Sequence, residues 1–539
     1  MTRCLLAAAA LLALASPARA QTVQTGTVET GSGTVRQLPA GALNDVRVID
    51  GGSGTLYAGP RLVAVDPDGT VRFPGEGSVF DPRTSIDPRA FAIDARGAAV
   101  WVALGFNDAA ADGDEPPQTA AGFAVSRDGG RTFAYRFPAT DEFADTLVTY
   151  GANTLAAVPT VLPQLAAVLD LAIADGDTVY AATLVGGLRR TTDGGATWRR
   201  IVLPPDSLVS LDPRETYDFV YDPARLLFAD AGLNQAPSAV LYDEAGTLWV
   251  GTQSGLNRSF RVPGEADPGW VRYLRSPFVS PDGTLQGPVG NRVLALDARP
   301  NAAGRDDVWA AVIPSTLPGD AEDEEPGVVV WRGDDADGFA RFEAVLVGVT
   351  VLDLAFDDAQ AYAASPDGLY VSPDDGASWR VLTQFFAADG RPLPVRTSGG
   401  VRSVAVAATG LYAGTDDGLL RSADGGRTWE LFRVSAAPGA AGDPSTAEVY
   451  AYPNPFVPRT DGALRVRFAL DAPGDATLRV FDTAMNVVRT VEAAGRPAGA
   501  NEVSWDGLSD DGLRVANGAY VYVVRAGGRQ LSGRVLVFN

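Results

Sequence analysis

Internal repetition constrains this chain more than any other feature: one unit of short apolar runs recurs seven times between residues 46 and 434. Each copy opens on a run such as AFAID (90–94), VLDLAIAD (168–175), RVLALDAR (292–299), VLDLAFDD (351–358) or VRSVAVA (401–407). A second run follows, as in TLYAG (55–59), AVWVALG (99–105) and GLYAGTD (410–416). The third usually starts with Gly and a large apolar residue, and the fourth is shorter with an aromatic near its start, as in ATWRRIVL (196–203). Runs of this length, bounded by Gly and Asp, read as strands. A small four-stranded sheet cannot bury both faces by itself; setting the sheets radially does so and leaves only short protected edges. The expected fold is therefore all-β: a seven-bladed β-propeller over 21–434. Six or eight blades are also compatible, because the first unit and the 204–235 segment are irregular.

Four copies share a tighter pattern between the third and fourth runs, S/T-x-D-x-G-x-T/S-W/F. They centre on Asp128, Gly130 and Phe133; Asp193, Gly195 and Trp198; Asp374, Gly376 and Trp379; and Asp424, Gly426 and Trp429. The other units carry eroded versions around Asp68, 261–269 and Asp334. The pattern resembles the Asp-box, or BNR repeat, of sialidases and related propellers. Its residue types suit a tight hairpin: the carboxylate accepts backbone N–H groups, Gly permits positive φ, and the aromatic packs between sheets. These aspartates are expected to be turn formers, not catalytic acids. Sialidases also carry an F-R-I-P motif ahead of the first Asp-box; here the similar Phe260-Arg261-Val262-Pro263 follows the fourth unit, on the wrong face, and no catalytic residue is assigned.

Strand alternation places the Asp-box turns on one face of the disc. The long insertions (106–121, 138–165, 204–236, 276–291, 314–326 and 384–400) belong to the connections of the other face, so they are expected to gather round the mouth of the central channel, where function collects. Candidate ligand-face residues there are Asp112, Asp114, Glu115, Tyr217, Asp320, Glu322, Phe385 and Phe386. No cofactor is expected, although the two acidic loops could hold calcium or supply the carboxylate pair of a glycosidase.

Composition excludes much chemistry. All 44 basic side chains are Arg, His is absent and there is one Cys, so His-ligated metals, Lys nucleophiles and disulfides have no residues to build them. A net charge of −22 argues against nucleic acid as a partner. Residues 1–20 read as a secretory signal peptide, with an apolar run from Leu5 and a small-x-small site at Ala18-Arg19-Ala20; no segment is long enough to span a membrane.

Residues 435–447 are small and Pro/Gly-rich, an expected linker. Beyond it, 448–539 alternates as an antiparallel Ig-like β-sandwich. Tyr452-Pro453-Asn454-Pro455-Phe456, Trp505-Asp506-Gly507, Gly518-Ala519-Tyr520 and the terminal Gly533-Arg534-Val535 resemble the type IX secretion C-terminal sorting domain and the related FlgD Ig-like domain. That resemblance implies export in two steps, with Pro453, Asn454, Pro455, Gly518, Tyr520 and Arg534 as sorting residues and the secretion machinery as partner. Arg534 departs from the Lys common there. The combined expectation is a secreted or surface-displayed binding or adhesion protein of a Gram-negative-type bacterium, its extracellular ligand a carbohydrate or a protein. The alternative is an extracellular glycoside hydrolase, sialidase-like or of another Asp-box family.

Overall fold

The computed structural model describes residues 35–38, 49–50 and 54–538, with breaks of which the longest are 73–88, 108–117, 277–283, 316–323 and 435–448. The expected leader (1–20), the linker, Pro453 and Pro455 lie outside the described residues.

Among the described residues, seven four-stranded antiparallel sheets follow one another along the chain. We number them as blades 1–7. Their first strands are Ile49–Asp50, Arg89–Arg96, Val168–Ile173, Pro237–Tyr242, Arg292–Pro300, Asp353–Phe356 and Ser403–Ala407. These strands stand side by side in chain order, and that of blade 7 lies against that of blade 1, so the ring is closed. Val35–Leu38 pairs in parallel with the outermost strand of blade 7, Glu430–Val434, and so fastens the start of the chain to its last blade. Ser210–Leu211 likewise adds a fifth strand outside blade 4.

The core is divided accordingly. A separate apolar cluster fills each of the seven junctions between neighbouring blades. Period-2 alternation supplies both faces: in Leu56–Ala58, Leu56 and Ala58 face blade 7 while Tyr57 faces blade 2.

The four aspartate turns have one geometry. In blade 3, Asp193 Oδ1 accepts the Thr197 N–H at 2.9 Å and Oδ2 accepts its hydroxyl at 2.6 Å. The Thr191 hydroxyl donates to Asp193 at 2.8 Å and accepts the Gly195 N–H at 2.9 Å. Asp128, Asp374 and Asp424 repeat the set. The glycine is required twice over. At Gly195 φ is +83°, and a Cβ there would stand 3.0 Å from the Trp101 ring of the preceding blade. The turn aromatic lies in the same junction: Trp198 stacks on Phe123 at 4.9 Å and meets Trp101 edge-on at 6.1 Å. In blade 5 the eroded copy works through Asp335, which accepts the Asp337 and Phe339 N–H groups, while Asp334 pairs with Arg258 instead.

The C-terminal residues form two sheets, of three and four strands, around one core that includes Phe456, Trp505 and Tyr522. The motif residues are fastened to this sandwich. Asn454 accepts the Leu536 N–H and donates to the Arg534 carbonyl. The Tyr520 hydroxyl donates to the Ala516 carbonyl, and Gly533 leaves the space that the Tyr522 hydroxyl fills.

Because the carboxylate of each turn is held by groups two to four residues away, its loss should be felt as stability. Asp424→Ala is expected to cost about 1–2 kcal/mol in urea unfolding. Asp424→Asn, which keeps an acceptor for the backbone and can pair with the Thr428 hydroxyl, should cost less than half of that.

Candidate functional site

Each blade's first strand begins at the face from which the insertions leave; we call it the mouth side. The insertions do not all remain there. Residues 138–165 and 204–222 fold down the outer flank of blades 3 and 4, where the hairpin Leu147–Tyr150 with Asn153–Ala156 joins their cluster. Asp141 anchors this layer by accepting both Nη groups of Arg189, at 2.5 and 2.9 Å. At its far end the Tyr150 hydroxyl donates to the Pro268 carbonyl at 3.0 Å, and the Gly151 N–H to Asp267 at 2.9 Å. Those acceptors lie in the third-to-fourth turn of blade 4, on the opposite face of the ring.

This path corrects three of the expected ligand-face residues. Tyr217 is half-buried in the flank layer, its N–H on Asn153 and its ring 6.3 Å from Tyr150. Phe385 is 5% exposed, edge-on to Trp429 at 5.1 Å, and serves the junction of blades 6 and 7. Phe386 is exposed, but its carbonyl accepts the Trp429 backbone N–H at 2.8 Å, which holds it near the turn face. The segments fold back because their apolar residues cover the otherwise open outer edge of the blades. Asp112, Asp114, Glu115, Asp320 and Glu322 lie outside the described residues. Among the described residues no group of three or more carboxylates is placed to hold a metal ion.

What the mouth does contain is a frame of polar groups. Glu324, from one acidic loop, is buried; its oxygens accept the Asn291 N–H and amide and the Ser315 N–H, at 2.6 to 2.9 Å. It thereby ties the connection entering blade 5 to the 314–326 loop and is not a free ligand for calcium. Arg292 follows Asn291 at the start of the first strand, and Arg402 at the equivalent end of blade 7 pairs with Asp416 at 3.2 Å.

Deeper in the ring, the first strands place four aspartates that sequence reasoning passed over: Asp94, Asp170, Asp297 and Asp353. Three bridge blades. Asp94 accepts the Ile173 N–H at 2.5 Å, Asp170 that of Val240 at 2.8 Å and Asp353 that of Val404 at 2.9 Å, each from the next blade's first strand. Asp297 accepts the N–H of Ala298, beside it in its own strand. Enclosure by protein raises all four carboxyls, to about 6 at Asp94, about 7 at Asp170 and Asp297 and about 8 at Asp353. The signal was present in the sequence as an Asp inside an apolar run, VLDLAIAD and VLDLAFDD. The turn aspartates behave oppositely: hydrogen bonds from the Thr197 hydroxyl and N–H hold Asp193 at about 2.

The model of the FlgD Ig-like domain family matches residues 457–530. No curated protein matches the chain in sequence. Among solved structures, PorZ, a surface component of the type IX secretion system of Porphyromonas gingivalis, is 18% identical, with 95% of this chain and 67% of that chain covered and a TM-score of 0.32. The GH74 enzyme of Niastella koreensis is 11% identical over 95% and 74%, with a TM-score of 0.43. YCF48 of Cyanidioschyzon merolae is 16% identical over 71% and 96%, with a TM-score of 0.39.

The channel carboxyls set the pH dependence. Raised native values mean that the folded chain holds more protons than the unfolded one between the ordinary carboxylate value and about 8. This contribution is complete below the ordinary carboxylate value and is lost progressively from there as pH rises through the folded values of about 6 to about 8. The turn aspartates, lowered, contribute above the ordinary value and fail in acid. With no His in the chain, the urea midpoint is expected to be higher at pH 5.5 than at pH 8.5, and Asp353→Asn should flatten that slope. A flat wild-type profile would refute it.

Proposed function

We propose that the chain is an exported β-propeller that binds an extracellular ligand, carbohydrate or protein, on the mouth side of its ring, and that residues 448–539 direct its export. The reading is carried by one observation: the ring is closed, its turn face is built from four hydrogen-bonded hairpins of one geometry, and chain irregularity leaves from the mouth side. Binding sites on propellers of this kind are loops carried by a rigid scaffold. The bridging carboxylates Asp94, Asp170 and Asp353 are engaged by backbone N–H groups, which favours binding over hydrolysis. The leader-like residues 1–20 and the match to the FlgD Ig-like family support export to the cell surface.

Asn107 and Gln118 are cross-strand partners, so 108–117 can be replaced by an Asn-Gly turn without altering the blade. The full secreted chain is expected to retain a subset of extracellular glycans or surface proteins. The shortened variant should bind at least about tenfold more weakly with an unchanged melting temperature. Release of sugar from a polysaccharide panel would overturn the binding-only reading. Export has its own test: a chain lacking 447–539 should accumulate in the periplasm, and undiminished release would refute the sorting role.

A further inference from the structure

Five arginines are buried among the described residues: Arg189, Arg272, Arg292, Arg465 and Arg467. Four are partnered. Arg189 pairs with Asp141, Arg272 donates to Ser254 and to the Asp206 carbonyl, and Arg465 and Arg467 stand against Glu502. Arg292 differs. It is 3% exposed, and among the described residues its Nε and Nη2 meet no acceptor. Burial lowers its pKa to about 10, which leaves it charged at neutral pH. A buried charge without a counter-charge is an arrangement that proteins avoid.

Packing does not demand an arginine here. A register shift at the mouth-side end of the first strand marks equivalent residues in blades 2, 3, 4 and 5, at Ala90, Val168, Pro237 and Val293. The residues just before these are Arg89, Ala167, Ala236 and Arg292; Arg89 is only partly buried, whereas both alanines are fully buried. The nearby carboxylate of Glu324 is occupied by Asn291 and Ser315. Ser315 lies two residues past Ile313, the cross-strand partner of Arg292, and its buried hydroxyl also meets no partner among the described residues. The two unpartnered nitrogens of Arg292 form the side-on edge of the guanidinium, whose parallel N–H groups match the two oxygens of a carboxylate or sulfate.

We infer that Arg292, together with Ser315 two residues past its cross-strand partner, is an anion site at the mouth of the channel, taking an oxyanion, either free or carried by the bound ligand. This rests on the mouth side being the binding face and adds the chemical class of group seated there.

The test is thermal melting of the full secreted chain titrated with sodium sulfate, glucuronate and glucose, against sodium chloride at equal ionic strength. A saturable rise is expected with sulfate, for the free ion, and with glucuronate, for a sugar-borne carboxylate, but not with glucose. In Arg292→Met the rise should be lost, and without sulfate this variant should melt no lower than wild type. Arg292→Lys, which keeps the charge but not the two-donor edge, and Ser315→Ala should weaken sulfate by at least about threefold; they carry the test if Arg292→Met does not fold. A wild type that responds no more to sulfate or glucuronate than to chloride, or an Arg292→Met that responds fully, overturns the site. Sulfate binding that persists while no macromolecular ligand is retained overturns the binding-face reading alone; ligand binding kept by Arg292→Met overturns the anion role alone.

Discussion

A blade of this protein has two apolar faces and almost no thickness. Every blade is thus half of two cores, and the seven junction clusters exist only because each sheet has a neighbour on both sides. An open array would leave the blade 1 residues Leu56 and Val63 and the blade 7 residues Leu419 and Phe432 in water; closure brings them together. The parallel strand Val35–Leu38, paired with the outer edge of blade 7, adds backbone hydrogen bonds to that hydrophobic seam.

The ring sorts its aspartates into two populations with opposite electrostatics. At the turns, a carboxylate near water gathers N–H and hydroxyl donors from its own hairpin and is held ionised. Along the first strands, the same side chain gathers an N–H from the next blade but loses most of its water, so its proton is retained to higher pH. The first population shapes a blade; in the second, Asp94, Asp170 and Asp353 join blades. Arg292 differs from both, a buried cation whose Nε and Nη2 meet no acceptor among the described residues.

Most of the architecture could be read before any coordinates. The repeat, the short strands and the four turn motifs gave the blades, and Asn454, Phe456, Trp505 and Tyr520 marked the C-terminal sandwich to which they are indeed fastened. The candidate site was far less legible. Tyr217, Phe385 and Phe386 were read as mouth residues because their segments begin there, yet these segments descend the flank to cover apolar blade edges. Glu324, in one of the two acidic loops that could have held calcium or supplied a glycosidase carboxylate, is a buried clasp.

The division follows from range. A turn such as Ser422 to Trp429 closes its hydrogen bonds within a few residues, so residue type and spacing alone determine it. The same holds for strand period and for the need of a thin sheet to find neighbours. The course of an insertion depends on meetings such as Tyr150 with Pro268, 118 residues apart. The isolation of Arg292 depends on what Glu324 binds across 33 residues. Such contacts are fixed by packing of the whole ring, and only the tertiary structure could decide them.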